Sequence, residues 1–282
     1  MKLLRYGPAG QEKPGLLDRD GRIRDLSGAV RDIDGEALSP ASLDRLRRLD
    51  PASLPLVPGT PRLGPCVASV PKIVAIGLNY RLHAQEAGAA IPTEPIFFMK
   101  ATSSICGPND DVIIPKNSQK TDYEVELGIV IGSLARHVAK PDARQHVAGY
   151  CVVNDVSERE FQMERGGQWT KGKSADTFCP TGPWLVTTDE IPDPSQLTLE
   201  TRLNGQVVQH ATTDLMITPV PEQIAYISAI LPLLPGDVIV SGTPGGVGAK
   251  RDPPLFMRAG DVVEVEISAI GVLRNPVVAE PD

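Results

Sequence analysis

Three acidic side chains have a spacing that suits a metal ion. Glu124 and Glu126 lie in the apolar run 123–131. Strand periodicity places them on one face, with their Cβ atoms about 7 Å apart. Two carboxylates this close repel each other unless a cation lies between them. Asp155 follows the apolar run 149–154, where a helix is expected to begin. The alternatives are an ordinary half-exposed strand for the glutamates and a helix N-cap for Asp155.

A site made only of carboxylates favours hard cations. Mg²⁺, Mn²⁺ or Ca²⁺ is therefore predicted rather than Zn²⁺, and an octahedral ion would keep positions open for water or a chelating substrate. Arg159 and Gln162 follow Asp155 by four and seven positions, on the same face of an expected helix over residues 156–165. They are predicted to direct a guanidinium and an amide at the molecule that the metal binds. Solvated helix side chains are the alternative.

A histidine and a glutamate three positions apart could act as an acid–base pair. His83 and Glu86 fall on one face of the expected helix 81–87, where they can form a hydrogen bond. Glu86 would fix the imidazole tautomer and raise its basicity, so that His83 can take a proton from water. A surface helix with an incidental histidine is the alternative.

Two loops add candidates for ligand binding. The run 168–183 carries two lysines among glycines and prolines, which predicts a loop without regular structure. Lys173 in this loop is predicted to neutralise an enolate or a carboxylate, although a solvated lysine is the simpler interpretation. The glycine-rich turn 241–248 lacks the Gly-Lys-Ser/Thr ending of a phosphate loop, so nucleotide binding is not expected. Its glycines would let the backbone approach a ligand or form a tight turn.

Composition and charge narrow the classes of partner. The chain has 282 residues, 41% hydrophobic and 22% charged, so a globular fold with a sizeable core is expected. Twenty-eight basic residues against 35 acidic ones give a net charge of −7, which argues against nucleic-acid binding and favours a small-molecule ligand. An anionic ligand would then need local positive charge from lysine, arginine or a metal ion.

The cysteines and the N-terminus predict a protein of the reducing cytoplasm. Cys66, Cys106, Cys151 and Cys179 form no Cys-x-x-Cys pair, so buried free thiols are expected. The N-terminal residues contain charges and a proline before any apolar segment of a signal peptide. No segment approaches the roughly 20 apolar residues that span a bilayer, so no membrane partner is expected.

Strand patterns outnumber helix patterns, which predicts an α+β, mostly β fold. Residues 1–65 are expected to form a small N-terminal β-rich module with one short helix, joined by the proline-rich run 51–65 to a main domain of residues 66–282. The dipeptide Asn204-Gly205 predicts a type I′ hairpin turn. Strands are expected over residues 72–76, 96–99, 111–114, 123–131, 149–154, 197–203, 206–210 and 238–240, and helices over 81–87, 156–165 and 221–231.

Five blocks of residues occur together and in order. They are Gly77-x-Asn79-Tyr80-x-x-His83-x-x-Glu86, Asp122-Tyr123-Glu124-x-Glu126-Leu127, Asn154-Asp155, Lys173-Ser174-x-Asp176-Thr177 with Gly182-Pro183, and Pro235-Gly236-Asp237-Val238-Ile239 leading into Gly242-Thr243-Pro244-x-Gly246-Val247. Each block is weak alone, but their joint occurrence resembles the fumarylacetoacetate hydrolase family from about residue 72 to the C-terminus.

The resemblance implies a catalytic domain built as a rolled mixed β-sheet, usually a homodimer. It also implies a divalent metal bound by Glu124, Glu126 and Asp155. Family members cleave carbon–carbon bonds in diketo acids, decarboxylate oxaloacetate-like acids, or isomerise dienoate intermediates. The N-terminal extension and the length look most like bacterial members that hydrolyse 2,4-diketo-3-deoxy sugar acids, a subgroup often labelled ureidoglycolate lyase.

Hydrolysis of a 2,4-diketo acid is the function this resemblance favours. The 2-oxo carboxylate end of the substrate is expected at the metal, with Arg159, Gln162, Lys173 and the backbone near Thr243 positioning the rest. His83, assisted by Glu86, would activate water, and Lys173 would help to hold the enolate of pyruvate. A decarboxylase, tautomerase or dienoate isomerase with the same metal site is the alternative enzyme. A non-catalytic metal-binding scaffold is the alternative of a different class.

Overall fold

Strands make up most of the regular structure in the computed structural model of the chain, which describes residues 1–281. The predicted α+β, mostly β class is confirmed. The strands are β1 (Lys2–Tyr6), β2 (Lys13–Leu17), β3 (Ile23–Asp25), β4 (Ile73–Gly77), β5 (Ile96–Lys100), β6 (Ile105–Cys106), β7 (Val112–Ile114), β8 (Thr121–Asp122), β9 (Val125–Ile131), β10 (Val147–Asn154), β11 (Ser157–Glu158), β12 (Cys179–Thr187), β13 (Thr198–Leu203), β14 (Gln206–Thr212), β15 (Val238–Val240), β16 (Val262–Ile267) and β17 (Gly271–Ala279). The α-helices are α1 (Pro40–Arg47), α2 (Arg81–Glu86), α3 (Thr170–Lys173) and α4 (Val220–Ile230).

Two large sheets organise these strands. The larger one has the order β3-β2-β1-β12-β10-β9-β15-β4-β5, with β6 paired to β12, and the second has the order β14-β13-β16-β17-β7. The strands β8 and β11 form a separate two-stranded pair. Both large sheets contain parallel as well as antiparallel neighbours, since β15 runs parallel to β4 and β17 runs parallel to β7. The mixed sheet that the resemblance implies is therefore present.

The central strand β9 separates two hydrophobic clusters. Leu127, Ile129 and Ile131 face one cluster, which also holds Leu199 and other residues of the five-stranded sheet. Val130, on the opposite face of β9, belongs to the second cluster together with residues of the N-terminal segment. All seven residues of β9 are buried because the strand pairs with β10 on one side and β15 on the other. The half-exposed strand considered as an alternative is therefore excluded.

The N-terminal segment contributes strands to the larger sheet. Within residues 1–65 lie β1 to β3 and α1, as the sequence predicts. The strand β1 pairs antiparallel with β12, and residues such as Leu3 and Leu38 enter the second cluster. This pairing shows how the segment contacts the rest of the chain. Its treatment as a separate module stays a prediction.

Local predictions hold best where short-range chemistry decides the backbone. Asn204 and Gly205 connect β13 to β14 with φ angles of 52° and 81°, so the predicted hairpin turn with two positive φ values is confirmed.

The four cysteines are free and buried, as expected. Among residues 1–281, no helix is both long enough and apolar enough to cross a membrane.

Two segments differ from their predicted structure. Residues 156–165 form the strand β11 and a short π-helical turn, Glu160–Glu164, instead of one α-helix. The cause is tertiary pairing, because Ser157 pairs with Asp122 of β8 and the Arg159 amide donates to the Lys120 carbonyl. The run 168–183, predicted to be irregular, contains α3 and the first part of β12. Neighbouring strands β10 and β6 impose this extended structure.

The contact between β10 and β12 gives a test of the fold. A Cβ atom at Gly149 would lie 2.3 Å from the backbone oxygen of Val186, a distance that side-chain movement cannot relieve. We expect Gly149→Ala to lower the free energy of unfolding by about 1–3 kcal/mol, measured by urea denaturation. Gly28→Ala is the control, because a Cβ atom added at Gly28 would have no neighbouring atom within 4 Å. Equal denaturation midpoints for the two variants would contradict this packing.

Candidate active site

A cavity of about 540 Å³ lies where the ends of β4, β9, β10 and β15 meet the loops that follow them. Eight of the nine sequence-predicted site residues line it: His83, Glu124, Glu126, Asp155, Arg159, Gln162, Lys173 and Thr243. The ninth, Glu86, contacts the cavity through His83. The fold thus brings together residues that are far apart in the sequence. Their chemical roles stay predictions.

The ends of two antiparallel strands position the three candidate metal ligands. In the register of β9 and β10, Glu126 lies opposite Val153, which leaves Asp155 beside Glu124. The Asp155 amide donates to the Glu124 carbonyl at 2.9 Å, which fixes the two backbones together. One oxygen from each of Glu124, Glu126 and Asp155 lies within 4.8 Å of the others. The helix N-cap alternative for Asp155 is excluded, since the strand β11 follows it.

Two buried lysines contact this acidic cluster. Lys173 Nζ donates to Glu124 Oε2 at 2.6 Å and to Asp155 Oδ2 at 2.7 Å. Lys100 Nζ donates to Asp155 Oδ1 at 2.5 Å and also to the backbone carbonyl of Lys173. Both lysines are 2% exposed. The two ammonium groups therefore hold opposite oxygens of one carboxylate and fix its orientation.

Arg159 holds the other side of the cluster. Its Nη2 lies 2.6 Å from Glu124 Oε1, its Nε donates to Asp122 Oδ2 at 2.8 Å, and its Nη1 donates to Gln162 Oε1 at 3.0 Å. Asp122 is itself fixed, because Oδ1 accepts the Gly248 amide at 2.7 Å. Arg159 and Gln162 therefore share the cavity as predicted, although Gln162 lies on the π-helical turn Glu160–Glu164 and Arg159 directly precedes that turn. The alternative of solvated helix side chains is excluded for this pair.

Charges on these groups shift the pKa values of the glutamates in opposite directions. Burial by itself raises the pKa of Glu124, but the Lys173 ammonium and the Arg159 guanidinium outweigh it, so the pKa lies below its ordinary value. Burial raises the pKa of Glu126 well above its ordinary value, and the charges of Asp155 and Glu124 raise it further. Glu126 is the member of the triad whose negative charge is least compensated.

The donor set fits a hard divalent cation. In the described part of the chain Glu126 forms no ion pair, and its Oε2 accepts the Gly242 amide at 2.5 Å. The buried carboxylates Asp122, Glu124, Glu126 and Asp155 outnumber the bases that contact them, which are Lys100, Arg159 and Lys173. Oxygens bound to one Mg²⁺ at ~2.1 Å are at most roughly 4.2 Å apart. The triad therefore needs only a small contraction to coordinate such an ion.

The predicted hydrogen bond between His83 and Glu86 is present in α2. His83 Nδ1 lies 2.8 Å from Glu86 Oε1, and Glu86 Oε2 accepts the Gly246 amide at 2.8 Å. A carboxylate at Nδ1 favours the tautomer with its proton on Nδ1, so Nε2 is left as an acceptor. His83 also lines the cavity. The interpretation of His83 as an incidental surface residue is therefore excluded.

The glycine-rich turn 241–248 binds carboxylates of the site through its backbone. The amides of Gly242, Gly246 and Gly248 donate to Glu126, Glu86 and Asp122, respectively. Gly242 and Gly246 have φ values of 95° and 104°, a region that favours glycine. The close backbone approach predicted for these glycines is thus made to the protein's own carboxylates. Thr243, in the same turn, is 2% exposed and lines the cavity.

Several residues of the site were not assigned a role from the sequence. Lys100 is one of them, although strand alternation places it on the same face of β5 as Phe98, which lines the cavity. Asp122 lies two positions before the predicted ligand Glu124, and this spacing could have indicated that it belongs to the site. Gln209 comes from the second sheet, and no sequence pattern connects it to the site. For Phe98 and Trp169, no sequence pattern predicted a place in the site.

Comparison with known proteins agrees with this architecture. A profile of the fumarylacetoacetate (FAA) hydrolase C-terminal domain matches residues 72–278. A Burkholderia lata protein, whose name assigns it provisionally to the hydrolases, is 58% identical over 272 residues, which cover 96% of each chain. A probable 2-hydroxyhepta-2,4-diene-1,7-dioate isomerase from Mycobacterium abscessus has a similar solved structure, with a TM-score of 0.85, 34% identity and 100% coverage of both chains.

A second solved structure resembles the chain and contains ligands. It is maleylpyruvate hydrolase from Sphingobium sp. SYK-6 in complex with manganese(II) and pyruvate, with a TM-score of 0.82, 29% identity and 100% coverage of both chains. The mixed β fold is thus that of a family of enzymes that includes hydrolases and isomerases. The chain belongs to the fumarylacetoacetate hydrolase family, as its sequence blocks suggest.

Metal binding by the triad gives a direct test. We expect Glu126→Gln to weaken Mn²⁺ binding by roughly 100-fold or more, since it removes the least compensated charge. Isothermal titration calorimetry of the folded protein measures this without any assay of turnover. Glu222→Gln is the control, because Glu222 lies on α4 and forms a surface ion pair with Lys140. This variant should bind Mn²⁺ like the wild type. Unchanged Mn²⁺ affinity in Glu126→Gln would exclude this residue as a ligand.

Proposed function

We propose that the protein is a divalent-metal-dependent hydrolase that cleaves a carbon–carbon bond in a 2,4-dioxo acid and releases pyruvate. The observation that carries this proposal is the position of His83, whose imidazole is oriented by Glu86 in the same cavity as the acidic triad. A general base beside a metal site provides what hydrolysis of an acylpyruvate requires. The manganese and pyruvate bound by the maleylpyruvate hydrolase named above support this choice.

The metal in this proposal is Mg²⁺ or Mn²⁺, with Ca²⁺ as a further possibility for the same oxygen ligands. When bound at Glu124, Glu126 and Asp155, it supplies a Lewis acid that polarises the 2-oxo group of the substrate. Charge balance supports the assignment. The four carboxylates and three bases above have an excess of one negative charge, which becomes an excess of one positive charge with a divalent cation. One substrate carboxylate would then neutralise this group of charges.

The basic and polar residues of the chain would orient the substrate. Lys173 and Arg159 are already held by carboxylates, so they present fixed positive charge at the acidic end of the cavity. Gln162 and Thr243 add an amide and a hydroxyl that face the same cavity. Groups fixed before the substrate arrives lose little freedom when they bind it. This pre-organisation supports their predicted role in substrate binding.

In the proposed reaction, His83 Nε2 takes a proton from a water molecule, and the hydroxide adds to the distal carbonyl carbon, C4. Glu86 stabilises the imidazolium that forms. The C3–C4 bond breaks with its electron pair on C3, and the Lys173 ammonium offsets the negative charge of the pyruvate enolate. The imidazolium returns the proton to C3. Water and the dioxo acid thus become pyruvate and a second carboxylic acid.

An isomerase of dienoate acids is the second candidate function. The observation that favours it is the likeness to the Mycobacterium abscessus protein, whose name describes such an isomerase. An isomerase would use the same charged end of the cavity but would move a proton within the substrate and add no water. Oxaloacetate decarboxylation stays an alternative of the same kind. The narrower likeness to hydrolases of 2,4-diketo-3-deoxy sugar acids, the homodimer and the cytoplasmic location stay predictions.

Release of pyruvate from 2,4-dioxopentanoate in the presence of Mn²⁺ tests the proposal. We expect His83→Gln to lower kcat by roughly 10²- to 10⁴-fold, because the variant loses the general base. Its Mn²⁺ affinity should stay within threefold of wild type. His210→Gln provides a matched control, since His210 also pairs with a glutamate, Glu200 at 3.1 Å, but is exposed and lies outside the cavity lining.

The other outcomes identify the alternatives. Carbon dioxide from oxaloacetate without pyruvate from the dioxo acid would indicate a decarboxylase. Isomerisation of a dienoate without hydrolysis would indicate the isomerase. Bound Mn²⁺ without turnover of any of these compounds would indicate a metal-binding scaffold. Loss of Mn²⁺ binding in His83→Gln would instead make His83 a metal ligand.

A further inference from the structure

The wall of the cavity beyond its charged end is aromatic. The Phe98 ring lies 5.4 Å from Lys173 Nζ, so it begins where the acidic cluster ends. Trp169 contacts Phe98 edge to face, with ring centroids 5.4 Å apart. Phe256 and Val247 also line the cavity. The cavity is therefore ionic at one end and apolar at the other.

Trp169 is held in this wall by a close contact with the strand β4. A Cβ atom at Gly77 would lie 2.4 Å from Trp169 Cζ3, so the indole occupies space that a side chain on β4 would otherwise fill. Thr170, the next residue, donates to the Met99 carbonyl of β5 at 2.8 Å and anchors the same segment. The indole is thus a fixed part of the cavity wall.

The apolar end lacks a buried cation for a second carboxylate. Among the lining residues that the structure describes, Lys173 is buried and Arg159 is largely so, and both are paired with the acidic cluster. Lys120 lines the cavity but pairs with Glu164 at 2.5 Å. Lys250 is exposed, and exposed ion pairs contribute little to binding. A carboxylate at the far end of a substrate would gain little here.

We propose that the acyl group of the substrate is apolar and lies against Phe98 and Trp169, an inference that rests on the proposed function. The substrate class is then an acylpyruvate with an aromatic or extended hydrocarbon acyl group, in place of the hydroxylated acyl group of a 2,4-diketo-3-deoxy sugar acid. Its single carboxylate lies at the ionic end. The volume of about 540 Å³ accommodates such a group in addition to the 2-oxo acid. This specificity belongs to residues outside the acidic triad and the His83–Glu86 pair.

Binding of 2-oxo acids that lack the 4-carbonyl tests this inference, since hydrolysis cannot occur. We expect the Mn²⁺-loaded protein to bind 2-oxo-4-phenylbutanoate about tenfold or more tightly than 2-oxohexanedioate, because only the phenyl group is favourably buried against the aromatic wall. Isothermal titration calorimetry measures both, with pyruvate as the reference. Tighter binding of the dioate, or equal binding of all three, would overturn the inference. If none of them binds, the proposed function itself fails.

Substitution of Trp169 tests the location of the acyl group. Trp169→Ala should weaken 2-oxo-4-phenylbutanoate binding about tenfold and leave pyruvate affinity within twofold. Trp184→Phe is the control, since it changes the other tryptophan of the chain, which lies outside this cavity. Unchanged phenyl-ligand affinity in Trp169→Ala would place the acyl group elsewhere. If Trp169→Ala does not fold, the ranking of ligands by the wild-type protein still decides.

A second inference concerns Gln209, a buried residue of β14 in the five-stranded sheet. Its Oε1 accepts the Val125 amide at 3.1 Å and the Thr201 hydroxyl at 2.8 Å. Its Nε2 donates to Thr243 Oγ1 at 2.9 Å and to the Pro244 carbonyl at 3.0 Å. All four hydrogen-bonding positions of this amide are thus used. The Gln209 side chain thus connects the backbone at Val125, which lies between Glu124 and Glu126, to the turn that carries Thr243.

The direction of the bond to Thr243 is informative. Because Thr243 Oγ1 accepts from Gln209, its own hydroxyl hydrogen is free to donate, and Thr243 lines the cavity. We infer that Gln209 is a positioning residue, which orients Thr243 as a hydrogen-bond donor to the substrate anion. Gln209 itself does not line the cavity, so it acts through Thr243.

A double-mutant cycle separates this role from a general structural one. Gln209→Met should weaken pyruvate binding to the Mn²⁺-loaded protein about three- to tenfold, with Mn²⁺ affinity within threefold of wild type. In a Thr243→Val background, the same change should have less than a twofold effect, because the hydroxyl it orients is gone. Additive effects, or an equal loss of Mn²⁺ affinity, would overturn the inference. Thr243→Ser keeps the hydroxyl and should bind pyruvate like the wild type. If Thr243→Ser loses as much pyruvate affinity as Thr243→Val, the inference is overturned. This comparison decides the question even if Gln209→Met does not fold.

Discussion

Buried negative charge is the constraint on which the rest of the site depends. Asp122, Glu124, Glu126 and Asp155 are all removed from water, and an unpaired buried carboxylate is costly. The surroundings compensate for this with fixed donors of two kinds. Lysine and arginine side chains bind three of the carboxylates, and backbone amides of the glycine-rich turn bind Glu126 and Asp122. The compensation is incomplete at Glu126, and that imbalance is what makes the cluster suitable for a divalent cation.

The sheet geometry explains why these groups converge. The strands β9, β10 and β15 are neighbours at the centre of the large sheet, so the segments at their ends share one edge. Glu124 and Asp155 lie at the ends of an antiparallel pair, and the glycine-rich turn follows β15. Because the central strands are buried on both faces, their ends are rigidly placed. Preorganised charge of this kind needs little rearrangement when a substrate binds.

The cavity separates the reacting end of a substrate from the end that gives specificity. The ionic end contains the groups proposed to bind the 2-oxo acid and to move protons. The aromatic end contains Phe98 and Trp169, which contact each other and border the ionic end at Lys173. The family to which this fold belongs includes both hydrolases and isomerases.

The sequence by itself determined the class of fold, the shared face of Glu124 and Glu126, and the His83–Glu86 pair. The two pairs depend on short-range spacing, since strand alternation relates Glu124 to Glu126 and helical spacing relates His83 to Glu86. Asp155 was predicted as a third ligand, but it lies beside Glu124 only because β9 pairs with β10. The helix predicted over 156–165 was wrong because pairing with β8 overrides the helical pattern of that segment. Only the tertiary structure revealed Lys100 and Gln209, whose hydrogen bonds to Asp155 and Val125 span 55 and 84 residues. Periodicity describes neighbours along the chain, whereas the compensation of buried charge depends on which distant segments the sheets bring into contact.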